Sequence, residues 1–428
     1  MTFVISFIFI FIGGLNHYKE KTWVSPGVLF CYEWGIITFF ASLRLFGLYA
    51  ASTKTWMIIV IGTLFFEIGV YFGRRSKINY RLDKQSNNPM LFKKNIFWIL
   101  VIFLFAYNSM ELLKTISFIN SGYSLGEIRE ASVGMLELAN YSRKTGIVYE
   151  LLDLIMSVVK VFVVASGIDA FISDFNENWK MFLGVFGVEV IDAFSTGSRF
   201  TIVYLIVELL VCIGFYRYCG YNIGVSISKK LKKWVKRIVV ILILIVLIIT
   251  IVRGAQLNEI LAKYYRYLCG NIKFFDLHIK QIDDSGFYAW GYSGLYGLYS
   301  FVLPYLNALG LSYPSTYINT IREVFNTQEF LQIGEHLYTN AFVTPFYHLY
   351  ADFRLFGVVL GMFVFGLISG RMYRRAVLEC NHIRITFYLV VSQMIFKSLQ
   401  IYPFSTKTYF FAIMTIFLYG KFRIKKRM

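Results

Sequence analysis

Long apolar runs recur along this chain, joined mostly by short basic turns. One long polar stretch, about 253–340, interrupts the series. Runs such as Ile238–Val252 (IVVILILIVLIITIV) and Leu355–Ser369 carry almost no polar side chains and would be hard to place in a soluble core. They read as transmembrane helices. The spans fall at approximately 2–15, 27–50, 55–73, 96–116, 147–172, 181–197, 200–218, 238–252, 344–369, 385–402 and 407–420. The fold class this predicts is an all-α polytopic membrane protein with about 11–12 transmembrane helices, forming a single integral domain over 1–428. Composition agrees, with 57% hydrophobic and 16% charged residues, against about 25% charged in a soluble domain. The first apolar run lacks a basic n-region and an A-x-A site, and its first Lys is Lys19. It reads as an uncleaved span with the N-terminus outside.

A net charge of +18 invites a nucleic-acid reading, and its distribution argues against one. Arg74–Asn95, Cys219–Arg237, Gly370–Arg384 and Lys421–Met428 hold 22 Lys/Arg against two acids, so the rest of the chain nets −2. An excess confined to four short segments beside apolar spans is the positive-inside pattern. It makes those segments cytoplasmic, and with them the C-terminus. Five Cys with no CxxC and no zinc spacing predict neither a disulfide framework nor a metal site.

With those segments inside, two sizeable pieces fall outside, 117–146 and 253–340. The second holds six Lys/Arg, seven Asp/Glu and two His, and is too long for a connector. Its apolar middle, 290–311 (WGYSGLYGLYSFVLPYLNALGL), resembles a span. A crossing there would break the parity between Arg253 and Arg371. The Gly residues, Pro304 and a Tyr ladder instead predict an interfacial or re-entrant piece.

Several residues could carry chemistry. Glu150, Asp153, Ser157 and Lys160 lie on one helix face, and Glu189, Asp192, Thr196 and Arg199 repeat the spacing further on. Acids and bases so placed either satisfy one another or line a cavity. Arg199 ends the tight turn Ser195-Thr196-Gly197-Ser198-Arg199 at the outer interface, where a guanidinium suits a lipid-borne phosphate; snorkelling is the plainer alternative. Arg129, Arg253 and Arg266 are the other outer guanidinium candidates. Tyr264, Tyr265 and Tyr267 beside Arg266, and Tyr338 later, offer ring faces for sugars. Glu335 and His336 precede a span whose first turns carry His348 and Asp352 at i, i+4. Such a pair can tune a general base or anchor a helix end. There is no P-loop, GxSxG, HExxH or D-x-D, so no nucleotide or metal cofactor is expected.

Ser25-Pro26 with the LFCYEWGIITFFASLRLFGLY run, and the span ending FFEIGVYFG, resemble the opening of bacterial oligosaccharide repeat unit polymerases, the Wzy-type enzymes. STGSRFTIVYLIV and HLYTNAFVTPFYHLYADFRLFGVVLGMFVFG are similar to later blocks of that family, so the likeness runs from about Ser25 to Phe404. The long-spaced Arg-to-Gly pattern of some relatives is absent, since Asn140 and Leu277 stand eleven positions after Arg129 and Arg266.

The resemblance implies a GT-C-like glycosyltransferase of the bacterial cytoplasmic membrane. It would join undecaprenyl-pyrophosphate-linked repeat units into O-antigen, capsule or exopolysaccharide on the outer face. A chain-length regulator and a flippase would be its partners. Arg199, Arg129, Arg266 and Arg253 would hold the departing pyrophosphate, with Tyr265 and Tyr338 on the sugar. His336, Glu335, His348 or Asp352 would take the acceptor proton. An O-antigen ligase would share the architecture, a lipid-linked oligosaccharide flippase would fit the spans and basic inner loops but not the long outer loop, and a structural subunit of a synthase is the third alternative.

Overall fold

The computed structural model describes residues 2–76, 90–133, 146–223, 228–252, 260–340 and 342–425. In chain order its helices are α1 (Thr2–Glu20), α2 (Pro26–Ser42), α3 (Thr53–Arg75), α4 (Lys94–Asn120), α5 (Leu125–Val133), α6 (Ile147–Ser173), α7 (Phe175–Thr196) and α8 (Arg199–Ile223). They continue with α9 (Lys229–Val252), α10 (Ile260–Ser285), α11 (Tyr296–Ala308), α12 (Ser315–Val324), α13 (Thr344–Glu379), α14 (His382–Lys397) and α15 (Lys407–Lys425). Between α12 and α13, β1 (Leu331–Gln332) and β2 (Tyr338–Thr339) form a small antiparallel hairpin.

Seven of these helices, α1, α3, α4, α6, α8, α9 and α13, are long and apolar enough to cross a membrane, the make-up of a polytopic membrane protein. Only 22% of the apolar stretch of α4 and 28% of that of α9 is buried, so most of these apolar side chains face outward, as lipid-facing helices require. Helices α2, α7, α14 and α15 occupy the remaining segments read as spans. The run over 27–50 is not one helix. Ser25 caps α2 with Pro26 in its first turn, and the helix stops at Ser42. Arg44 and Phe46 then take left-handed backbone (φ 50 and 57), making a short turn rather than another stretch of span.

The chain groups into two compact units. The first comprises Met1–Lys77, Leu261–Arg374 and Met394–Met428; the second comprises Ile78–Ile260 and Arg375–Gln393.

In the first unit, α3 and α13 cross at backbone contact. Gly69 and Gly73 lie against Phe363 and Leu367, while Gly366 and Gly370 lie against Phe66 and Val70. A Cβ on any of the four would fall on a carbonyl oxygen of the facing helix. Two G-x-x-x-G repeats, GVYFG and GLISG, thus pack into each other, an arrangement of small residues that lets membrane helices approach closely. Phe30 stacks on Phe66 at 4.1 Å, and Phe66 meets Phe365 edge-on at 5.1 Å, filling the space beside the crossing. Within α13, Phe353 and Arg354 leave helical geometry (Arg354 φ 54, ψ −138).

In the second unit, Phe171 of α6 stacks on Phe182 of α7 at 4.5 Å. The two polar stripes meet further along the same pair of helices. Lys160 donates to Asp192 at 2.9 Å, and the Thr201 hydroxyl donates to the same carboxylate oxygen at 3.0 Å. Asp153 accepts from Tyr107 at 2.9 Å. Mutual satisfaction between helices therefore accounts for these members of the stripes.

Candidate functional site

A cluster of polar groups in the first unit lies on α10, α12 and the hairpin. Helix α10 has one apolar face, which buries Phe274, Phe275, Ile279 and Ile282, and a polar face carrying Lys273, Lys280 and Gln281. Where α10 passes the end of α12, a polar pocket of about 290 Å³ opens, lined by His278, Gln281, Arg322, Glu323, Asn326 and Glu329. Arg322 pairs with Glu323 at 2.9 Å. Tyr347 packs behind these residues, its hydroxyl reaching the Glu323 carbonyl at 3.5 Å and its ring 5.4 Å from His278. Beyond it Tyr296, Phe325 and His348 stack in sequence, at 3.9 and 5.0 Å.

His278 is 4% exposed, and its Nε2 has no hydrogen-bond partner. Burial pushes its pKa down to about 4, so the imidazole is neutral at pH 7. The folded pKa lies below the unfolded value of about 6.5. The stabilisation is therefore complete above pH 6.5 and is lost as pH falls towards 4, by about 3 kcal/mol in all. Thermal melts of the wild type and His278→Gln between pH 7.5 and 4.5 should diverge, with the wild type losing more. Parallel curves would remove His278 as the cause.

His348 and Asp352 do come together, and each holds the same turn. Asp352 accepts backbone N–H bonds from Gly291 (2.9 Å), Ser293 (3.0 Å) and Gly294 (2.7 Å). His348 Nδ1 lies 3.1 Å from the Ser293 hydroxyl, and Ser405 donates to the Ser293 carbonyl at 2.8 Å. A carboxylate so occupied anchors 291–294 to α13, the second of the two roles the i, i+4 spacing allowed. In Asp352→Asn the charge-assisted bonds are lost, which costs about 1.5–3 kcal/mol. The check is the denaturation midpoint, and an unchanged value would show the turn to be held otherwise.

Glu335 and His336 lie exposed between β1 and β2. That hairpin is tied to the turn after α2: Tyr49 N donates to Ile333 O at 2.8 Å and Glu335 N to Gly47 O at 3.1 Å. Arg266 donates to the Tyr338 carbonyl at 2.9 Å and lies over the Tyr267 ring at 5.3 Å. Tyr338 keeps an exposed ring. Tyr265 is buried, donating to Phe40 O (2.8 Å) and accepting from Leu45 N (3.0 Å), so its hydroxyl ties α10 to the end of α2.

In the second unit the STGSR turn has Gly197 in the left-handed region (φ 61), closing α7. A Cβ there would meet Leu125 at 3.4 Å and Arg129 at 3.7 Å, so α5 packs on this turn and brings Arg129 beside it. Arg199 is 7% exposed and donates to Thr250 of α9 at 3.2 Å. Arg253 lies outside the described residues. Among the described residues, no three His, Cys, Asp or Glu are grouped to hold a metal ion, and no two cysteines form a disulfide.

His278, Glu323 and Glu329 escaped the sequence reading. They belong to no motif, and about 45 positions separate His278 from the acids. The available signal was the amphipathic pattern of α10 and α12 inside an otherwise apolar chain. No protein family, curated protein or solved structure matches this chain.

Proposed function

We propose that the protein is a Wzy-type polymerase, joining undecaprenyl-pyrophosphate-linked repeat units on the outer face of a bacterial cytoplasmic membrane. The observation that carries this reading is the pocket at His278. It sets two carboxylates, two amides, a neutral imidazole and an arginine beside an aromatic stack, within the polar segment that charge parity puts outside. Such a set suits a glycan, because amides, carboxylates and imidazole all bond hydroxyls.

In the reaction, an acceptor hydroxyl oxygen attacks the anomeric carbon of the donor. The bond to undecaprenyl pyrophosphate breaks, and the leaving group takes the electron pair. Glu323 or Glu329 receives the hydroxyl proton. Arg322 and Arg266 are the cations of this unit offered to the pyrophosphate. The topology of the proposal has about 11 crossings, N-terminus outside and C-terminus cytoplasmic. The 13-residue α11 is about 20 Å long, short of a hydrocarbon core of about 30 Å, and lies at the interface. A chain-length regulator and a flippase are its proposed partners.

Purified protein given synthetic lipid-linked repeat units tests the reading: a polymer ladder supports it. Movement of the substrate across vesicles without lengthening would favour a flippase instead. One observation supports that second reading. Glu208 in α8 is fully buried, and neither carboxylate oxygen has a hydrogen-bond partner. Ionisable groups inside apolar bundles mark transport pathways in many membrane proteins.

A further inference from the structure

In the second unit, α7 and α9 flank an apolar groove of about 480 Å³. Phe171, Phe182 and Phe186 line it, with Trp179 and Trp234 on its two sides and Lys230 at one end. The lining runs over Phe175–Phe186 of α7 and Lys230–Ile241 of α9, about 16 Å along each helix. That is close to the depth of one leaflet, half of a hydrocarbon core of about 30 Å.

The two ends differ in charge. The groove's Lys230 end is also the start of α9, where residues 229–237 carry six Lys/Arg and no acid. Three cations there sit on rings: Lys230 over Phe175 (5.4 Å), Lys180 over Trp179 (5.9 Å) and Arg237 over Trp234 (5.5 Å). The nearby acids are engaged. Asp174 caps α7 through the N–H groups of Asn176 and Glu177, and Glu177 lies 3.5 Å from Lys94. The other end is apolar, at Phe186 and Ile241.

We propose that this groove is a binding site for an anionic phospholipid, one acyl chain lying along α7 and α9 and the headgroup phosphate on Lys230 and its basic neighbours. The amphipathic layout gives the ligand its orientation. Tryptophans at the junction of basic and apolar surface are the residues expected at headgroup level, and a cationic patch beside an apolar slot selects anionic over zwitterionic lipid. The proposal rests on α9 crossing a membrane and is independent of the polymerase reading.

The full-length protein, purified in detergent, is exposed to phosphatidylglycerol or phosphatidylcholine, and retained lipid is counted by native mass spectrometry. Wild type should retain phosphatidylglycerol about tenfold better. Lys230→Glu with Arg237→Glu should remove that preference. Leu183→Trp, which fills the slot and leaves the charges alone, should lower retention of both lipids. Equal retention of the two lipids by the wild type overturns the proposal, as does unchanged retention in both variants. Glycerol phosphate without acyl chains competing as well as phosphatidylglycerol would also overturn it, by reducing the site to a surface anion patch.

Discussion

Polymer formed from lipid-linked repeat units should fall by about 10²–10⁴-fold in either Glu323→Gln or Glu329→Gln, the loss typical of removing a general base. Gln keeps the size and much of the hydrogen bonding of Glu but cannot take the proton. Neither residue is buried, so thermal stability should stay within about 0.5 kcal/mol of wild type. Binding of the acceptor glycan should change less than turnover, because the amides of Gln281 and Asn326 remain. Activity retained in both variants would sink the assignment of this pocket to the chemistry. Activity lost in one alone names the base.

The other large effect belongs to the α3–α13 crossing. Gly366→Leu should yield no folded protein, and Gly366→Ala should already cost about 1–3 kcal/mol, more if the helices must separate. The reason is where the new atom would go. A Cβ at 366 lands on the carbonyl of Phe66, part of a helix backbone that cannot rotate aside as a side chain can. Gly14→Ala and Gly187→Ala are the controls. Their nearest neighbours stand at 4.0 and 3.8 Å, so Ala there should be neutral or stabilise by the usual helix preference, about 0.5–1 kcal/mol. Detergent-solubilised yield and melting temperature read the difference. A Gly366→Ala protein as stable as these controls would refute the close contact.

Hydropathy located the helices well because length and apolarity are local properties. A helix does occupy each of the eleven segments read as spans. It failed at Leu43–Ser52, where the chain stays apolar through a turn. Arg44 and Phe46 are left-handed there and give no warning by type, and Gly47 (φ 73) is the one left-handed residue that could have marked the turn. The glycine repeats at 69/73 and 366/370 escaped the sequence reading, and nothing local says that one faces the other.

The site was harder to read for the same reason. Asp352 stood out for its spacing to His348, and its actual partners are backbone N–H groups in 291–294, invisible to side-chain patterns. His278, Glu323 and Glu329 look ordinary in sequence and converge only because α12 folds back on α10. Arg129 was singled out without its partner, and it is the Gly197 turn that α5 packs on, bringing Arg129 beside it.

The break at Phe353–Arg354 has a consequence for how α13 fits a bilayer. At 36 residues an unbroken helix would measure about 54 Å, nearly twice the hydrocarbon thickness. The break leaves about 25 residues beyond it, some 37 Å, a length much closer to that thickness, with the basic turns at Arg371, Arg374 and Arg375 at its far end. The nine residues before it, Thr344–Asp352, are thereby released from following the axis of the longer piece. Arg354 holds the joint by donating to the Ile282 carbonyl at 3.2 Å and lying over Tyr288 at 4.2 Å. The excess length of α13 is thus taken up at one break, and the turn at 291–294 is bonded to the short piece before it, through Asp352 and His348, rather than to the long one.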